Sequence, residues 1–337
     1  MGKPALLLIG DLAHAQKEWS EFASFGELKE FSGPKTRADF VKELQSGRFD
    51  DVVALYRSND STKITGEFDQ ELVSKLPPSL KYICHNGAGY DNIDIDACTA
   101  KGIQVSSTPV AVNSATADIA IFLMLGALRR IHLPYSAVRS SNWRGSAFQL
   151  GHDPEKKVLG ILGMGGIGRE VAARGRAFGM TIHYHNRTQL SPELEQGAKY
   201  VSFEELLRTS DVLSLNCSLR KETVRIIGKK EFALMKKGVV LVNTARGKLI
   251  DENALVEALA EGKVFSAGLD VYEEEPRIHE GLLNNPNVVL LPHIGTATME
   301  TQRDMELLVL ENIETAVKKG KLVTQVSEQV QANKSRM

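Results

Sequence analysis

The sequence predicts an α/β fold of two domains, each a doubly wound parallel β-sheet with helices on both faces. Three observations predict it. A length of 337 residues exceeds what a single core of ~100–200 residues usually organises. Short apolar runs alternate with segments of helical apolar spacing, the pattern of strands joined by crossover helices. That alternation lapses in a polar stretch, residues 140–157, and then begins again.

Taken in order, residues 6–9, 52–56, 81–84 and 103–105 read as strands, and 37–45 and 68–76 as helices between them. Residues 113–130 are dominated by Ala, Ile, Leu, Phe and Met without a proline, which predicts a long buried helix at a domain junction. After the polar stretch, 158–162, 181–185, 212–215, 239–242, 265–269 and 288–291 read as six strands, the number in a dinucleotide-binding sheet. The segment 298–318 carries an apolar stripe with Met305, Leu308, Val309 and Ile313, and is expected to return to the first domain. The tail 327–337 is polar enough to fray.

Composition narrows the function. With 42% hydrophobic and 25% charged residues, the chain is that of an ordinary globular protein, and its apolar runs fall short of the ~20 residues of a membrane span. A net charge of −1 gives no basis for nucleic-acid binding, and the lysines between Lys229 and Lys237 read as a solvated helix face. Cys84, Cys98 and Cys217 show no metal or disulfide spacing, so no metal site is expected and a reducing, cytoplasmic compartment fits. The apolar run 5–9 meets Gly10 and Asp11 too soon for a signal peptide. Ser335-Arg336-Met337 loosely resembles a peroxisomal address, an alternative left open.

The motif Gly163-x-Gly165-x-x-Gly168 follows the strand 158–162 and opens a helix over 169–177. In that setting glycines permit a tight turn, close approach of a pyrophosphate and helix packing, and the helix N-terminus supplies amides. The next strand ends His185-Asn186-Arg187-Thr188, with no carboxylate for an adenosine ribose 2′-OH. Arg187 suits a 2′-phosphate and Thr188 adds a hydroxyl, so NADPH is expected over NADH; a solvent-facing arginine is the competing reading. Cofactor contacts are also expected at Gly166, Ile167, Cys217, Thr223, Thr244 and Ala245.

Arg246, Glu275 and His293 stand at or beyond the carboxyl ends of later strands of the same sheet, where α/β ligand sites form. A guanidinium fork binds a carboxylate and polarises a carbonyl. A histidine kept protonated by a carboxylate delivers a proton near neutral pH. Of the glutamates 273–275, Glu275 is the candidate partner, and the other two are expected to be solvated.

Four motifs occur in one order: His85-Asn86-Gly87-Ala88-Gly89-Tyr90-Asp91, the glycine turn, Asn243-Thr244-Ala245-Arg246-Gly247 and Pro292-His293-Ile294-Gly295, with Ala267-Gly268-Leu269-Asp270-Val271 besides. Through them the chain resembles the D-2-hydroxyacid dehydrogenases, and within them the fungal glyoxylate/hydroxypyruvate reductase-like branch. The resemblance implies a Rossmann coenzyme domain, 113–296, inserted in a flavodoxin-like substrate domain, 1–112 and 297–337, with substrate bound in the cleft. It makes Arg246 the substrate-orienting arginine, His293 the acid/base, Glu275 its partner and Asp270 a contact on the nicotinamide carboxamide side. The amides of Ala88 and Gly89 are implied to bind the substrate carboxylate, Gly87–Gly89 as a plain turn being the alternative. The implied reaction reduces glyoxylate or hydroxypyruvate; a bulkier 2-oxo acid, as in mandelate-type enzymes, or a dinucleotide-sensing corepressor are the competing readings. A homodimer through the coenzyme domain is implied, with Trp143 or Phe148 reaching a neighbour's site.

Overall fold

The computed structural model describes residues 2–144 and 149–334, with side chains through 330. Phe148 and the terminal tripeptide 335–337 lie outside the described residues. The chain divides into two compact units, Met1–Val112 with Thr298–Met337, and Asn113–Ala297.

The first unit holds β1 (Ala5–Ile9), β2 (Glu27–Phe31), β3 (Val52–Ser58), β4 (Tyr82–Asn86) and β5 (Gln104–Ser106). They form one parallel sheet in the order β2-β1-β3-β4-β5. Strand β2 has no counterpart in the sequence reading. It is an edge strand, Glu-Leu-Lys-Glu-Phe, of which only Phe31 is buried, so it lacks the apolar run of its neighbours. On one face Ile9, Leu55, Ile83 and Val105 pack against Phe40, Phe49 and Phe68. On the other, Leu8, Tyr56 and Cys84 meet Val309, Ile313 and Ala316 of the helix Met299–Lys319. That helix starts on the Thr298 side chain, which accepts from the Thr301 N–H, and ends at Gly320 in the left-handed region. Its buried Glu306 accepts from the N–H groups of Ala13, His14 and Ala15 at 2.9, 2.8 and 2.8 Å. Those amides lie in the loop after β1, beside the point where the strand order reverses.

The second unit holds β6 (Val158–Leu162), β7 (Thr181–His185), β8 (Lys199–Tyr200), β9 (Val212–Leu215), β10 (Val239–Asn243), β11 (Val264–Leu269) and β12 (Val288–Leu290). The sheet is parallel, in the order β12-β11-β10-β9-β6-β7-β8. Seven strands replace the six expected, because β8 is a two-residue edge pairing too short to leave a periodic signal. The helix Asn113–Arg129 buries Ala117, Ala120, Leu123 and Met124 in the same core as Ile161, Tyr184, Val240 and Val242. Leu213, Leu215 and Leu241 pack on the opposite face with Leu255 and Leu259. The order reverses between β6 and β9, so the loops leaving these two strands flank the crevice where such sheets bind ligands. Among the described residues no helix is long and apolar enough to cross a membrane.

Candidate active site

The glycine turn joins β6 to the helix Gly166–Ala177, which begins three residues earlier than the sequence pattern indicated because its first turn is itself glycine-rich. Gly163 has φ +95, and a Cβ there would lie 2.5 Å from the backbone nitrogen of Cys217, in the loop after β9. A Cβ on Gly166 would meet the Asn113 side chain at 2.5 Å, and one on Gly168 the Gly163 carbonyl at 2.4 Å. Gly165, the N-cap of this helix, differs: nothing lies within 4 Å of its Cβ position. The first-turn amides of this helix therefore face a space free of side chain, which fits the pyrophosphate of a dinucleotide.

Beside it, the Asn186 Oδ1 accepts from the Met164 N–H at 2.7 Å, tying the end of β7 to the glycine turn. Arg187 and Thr188 are exposed next to it, and Arg187 has no ion-pair partner among the described residues. The Thr223 hydroxyl serves its own loop, accepting from the Arg220 N–H at 2.7 Å and donating to the Ser218 carbonyl at 2.9 Å. The Thr244 hydroxyl is buried without a hydrogen-bond partner among the described residues.

Three strand ends deliver the polar side chains. At the end of β10, fully buried Asn243 clamps the turn that carries Arg246: its Oδ1 accepts from the Ala245 N–H at 3.0 Å and its Nδ2 donates to the Arg246 carbonyl at 2.8 Å. The motif Asn243–Gly247 gives Asn243 no role of its own by sequence; an amide ending an otherwise apolar strand is the available signal. Gly247 follows because a Cβ there would lie 1.9 Å from the Tyr272 carbonyl carbon, so the turn packs directly on the backbone leading to Glu275.

After β12, the His293 Nδ1 meets the Glu275 Oε2 at 2.8 Å, while the Glu275 Oε1 accepts from the Tyr272 N–H at 3.0 Å. The hydrogen bond to Glu275 raises the His293 pKa above its ordinary value. Burial pushes the Glu275 carboxyl up, but the hydrogen bond and charge of His293 outweigh it and hold the group below the usual range. Each partner thus favours the charged form of the other.

His293 sits at φ +56, a left-handed conformation costly for a side chain of this size. Asp270, fully buried at the end of β11, holds the following segment: Oδ1 accepts from the Ile294 N–H at 2.7 Å and Oδ2 from the Gly295 N–H at 2.8 Å. Burial raises the Asp270 pKa. Sequence reasoning could not see this anchoring, since the partners are 24 and 25 residues away. Glu273 departs from the solvated role expected of it. It is largely covered, forms an ion pair with Arg225 at 2.7 Å, and its N–H donates to the Glu252 carboxylate at 2.8 Å. Glu274 is exposed and pairs with Arg277.

A glycine turn of dinucleotide type and a hydrogen-bonded imidazole–carboxylate pair beyond the strand ends of one sheet are the equipment of a nicotinamide-dependent oxidoreductase. Residues 121–295 match the family model of the D-isomer specific 2-hydroxyacid dehydrogenase NAD-binding domain. The chain is 64% identical over 326 residues to 4-methyl-2-oxopentanoate reductase A of Aspergillus oryzae, covering 97% of this chain and 98% of that one. It matches the crystal structure of a glyoxylate reductase from Paecilomyes thermophila with a TM-score of 0.96 and 64% identity, over 98% of this chain and 100% of the other. It matches an NADPH-dependent glyoxylate/hydroxypyruvate reductase from Sinorhizobium meliloti, in complex with NADP and malonate, with a TM-score of 0.84 and 30% identity, over 97% and 98%. The chain belongs to the D-isomer specific 2-hydroxyacid dehydrogenase family, and is an oxidoreductase with a Rossmann NAD-binding domain.

Proposed function

We propose that the enzyme reduces small 2-oxo acids to D-2-hydroxy acids with NADPH as the preferred reductant. The His293–Glu275 pair at 2.8 Å carries this reading. With Nδ1 held by Glu275, Nε2 of the imidazolium is the atom that delivers a proton to the carbonyl oxygen. Arg246 orients the substrate and stabilises negative charge growing on that oxygen. The amides of Ala88 and Gly89 bind the carboxylate; no hydrogen bond among the described residues engages either N–H. The reduced nicotinamide, when bound, supplies a hydride to the carbonyl carbon. The turn Gly163–Gly168 with Ile167 holds the dinucleotide, and Cys217, Thr223, Thr244, Ala245 and Asp270 line its course.

Exposed Arg187 and Thr188, with neutral Asn186 committed to the glycine turn, support NADPH. So does the NADP bound in the structure of the Sinorhizobium relative. Glyoxylate and hydroxypyruvate are the first substrates; a branched aliphatic 2-oxo acid is a second reading, favoured by the Aspergillus relative's name at 64% identity. Initial rates with glyoxylate, hydroxypyruvate, pyruvate, 4-methyl-2-oxopentanoate and phenylglyoxylate, each with NADPH and NADH, test both choices. Higher kcat/KM with NADH refutes the cofactor assignment, and unimpaired turnover by His293→Ala refutes the acid/base.

The reading includes a homodimer in a reducing, cytoplasmic compartment. Phe122, Ile131, Tyr135, Val138, Trp143 and Leu150 are exposed apolar residues of the second unit, more than isolated surface hydrophobics account for. A monomer in light scattering refutes the dimer.

A further inference from the structure

Arg57, at the end of β3, is fully buried and forms no ion pair among the described residues. Its guanidinium bonds only to neutral groups: Nη2 donates to the Thr62 Oγ1 at 2.7 Å, and Nη1 to the Asn92 Oδ1 at 3.0 Å and toward the His85 Nδ1 at 3.2 Å. The Phe68 ring faces it at 4.9 Å. Burial lowers its pKa to about 10, so it remains a cation at neutral pH. Glu67 and Asp91 favour the charge only through space; a buried cation with no carboxylate bonded to it is costly, and a chain retains it where something else gains from it.

The neighbouring loop is what gains. Because a guanidinium only donates, the His85 Nδ1 must accept, which leaves the proton on Nε2. That Nε2–H donates to the Gly89 carbonyl at 3.2 Å. The Thr108 N–H holds the Gly87 carbonyl at 3.0 Å. Gly87 itself makes room for the ring, since a Cβ there would stand 2.5 Å from the His85 Nε2. With the carbonyls of Gly87 and Gly89 bound on the protein side, the Ala88 and Gly89 amides are left for a ligand. The alternative, a loop shaped only by its glycines, needs neither a fixed tautomer nor a buried cation.

We infer that Arg57 and His85 are positioning residues that orient the Gly87–Gly89 loop for the carboxylate of the substrate, with the Arg57 charge set behind the loop to favour an anion. This rests on the assignment of the Ala88 and Gly89 amides to that carboxylate. Neither side chain touches the reacting atoms. The guanidinium sets the imidazole tautomer, the imidazole sets the peptide, and the peptide meets the anion.

The test compares glyoxylate with its uncharged methyl ester as substrates of the full-length enzyme under saturating NADPH. In His85→Phe, which keeps an aromatic ring and removes the bonds to Arg57 and the Gly89 carbonyl, KM for glyoxylate rises about tenfold, while kcat, KM for NADPH and kcat/KM for methyl glyoxylate stay within about twofold. In His85→Gln, whose amide still donates to the Gly89 carbonyl, most of the loss is recovered. Arg57→Lys keeps the charge but cannot reach His85 and Thr62 together, and gives the same KM-only effect should the phenylalanine variant not fold. Equal losses on acid and ester, or an unchanged KM for glyoxylate in folded His85→Phe, overturn the relay alone. A wild-type enzyme that reduces no 2-oxo acid overturns the functional reading beneath it.

Discussion

Gly165 separates what the dinucleotide turn needs for folding from what it needs for binding. Its three companion glycines are explained within the chain, since a methyl on Gly163, Gly166 or Gly168 would lie 2.4–2.5 Å from Cys217, Asn113 or Gly163 atoms. Gly165 has no such neighbour within 4 Å and an ordinary φ of −80. Gly165→Ala therefore strains nothing in the free protein. By restricting the unfolded chain it stabilises the fold by roughly 0.4–1 kcal/mol, a rise in Tm of about 1–4 °C for a domain of this size. The new methyl projects into the space assigned to the pyrophosphate, and overpacking there costs roughly 1–3 kcal/mol of binding, a weakening of about 5- to 150-fold in Kd. Differential scanning calorimetry of the ligand-free protein and titration calorimetry with NADPH read the two effects separately. A variant that binds NADPH like wild type would refute the placement of the dinucleotide, whatever its Tm.

Three further perturbations address the chemistry. Glu275→Gln removes the main group that raises the His293 pKa, leaving the smaller upward pull of Asp270 against burial and Arg246, which lower it. In the proposed reaction reduction needs protonated His293 and declines as pH rises through that pKa, so the alkaline fall in kcat/KM moves to lower pH in the variant; an unmoved profile contradicts the pairing. Arg187→Ala removes the proposed 2′-phosphate contact, and should raise KM for NADPH by about tenfold, the order of one charge-assisted bond, while leaving KM for NADH unchanged in steady-state assays. Gly247→Ala forces a Cβ to within 1.9 Å of the Tyr272 carbonyl carbon, so Arg246 or the Glu275 segment must move by about 1 Å, at a cost on the order of 100-fold in kcat/KM. Activity near wild type would show that the turn absorbs the clash.

How much of this was legible depends on the range of each interaction. The parallel strands stood out because burial on both faces makes them continuous apolar runs, as in Val239–Asn243 and Ala5–Ile9. Edge strands β2 and β8 pair on one side only, and their Glu-Leu-Lys-Glu-Phe and Lys-Tyr sequences carry no such run. Arg246 and His293 were visible as polar residues interrupting apolar strand ends, and Glu275 as one of three adjacent glutamates. What secures them was not visible. The Asp270 carboxylate on the Ile294 and Gly295 amides, the Asn243 clamp and the Asn186 bond to Met164 join positions whose spacing has no sequence period. Arg57 likewise gave no signal, since a lone arginine at a strand end reads as solvated until its burial is known.

Both units are doubly wound sheets, and each reverses its strand order beside a loop rich in amides. In the second unit those amides are proposed to receive an incoming phosphate. In the first, the Glu306 carboxylate accepts from the amides of Ala13, His14 and Ala15 and so stands in for such an anion. The duplication of architecture therefore does not duplicate capacity: each chain should saturate with one dinucleotide, and the first sheet should be deaf to inorganic phosphate or nucleotide at its own reversal point.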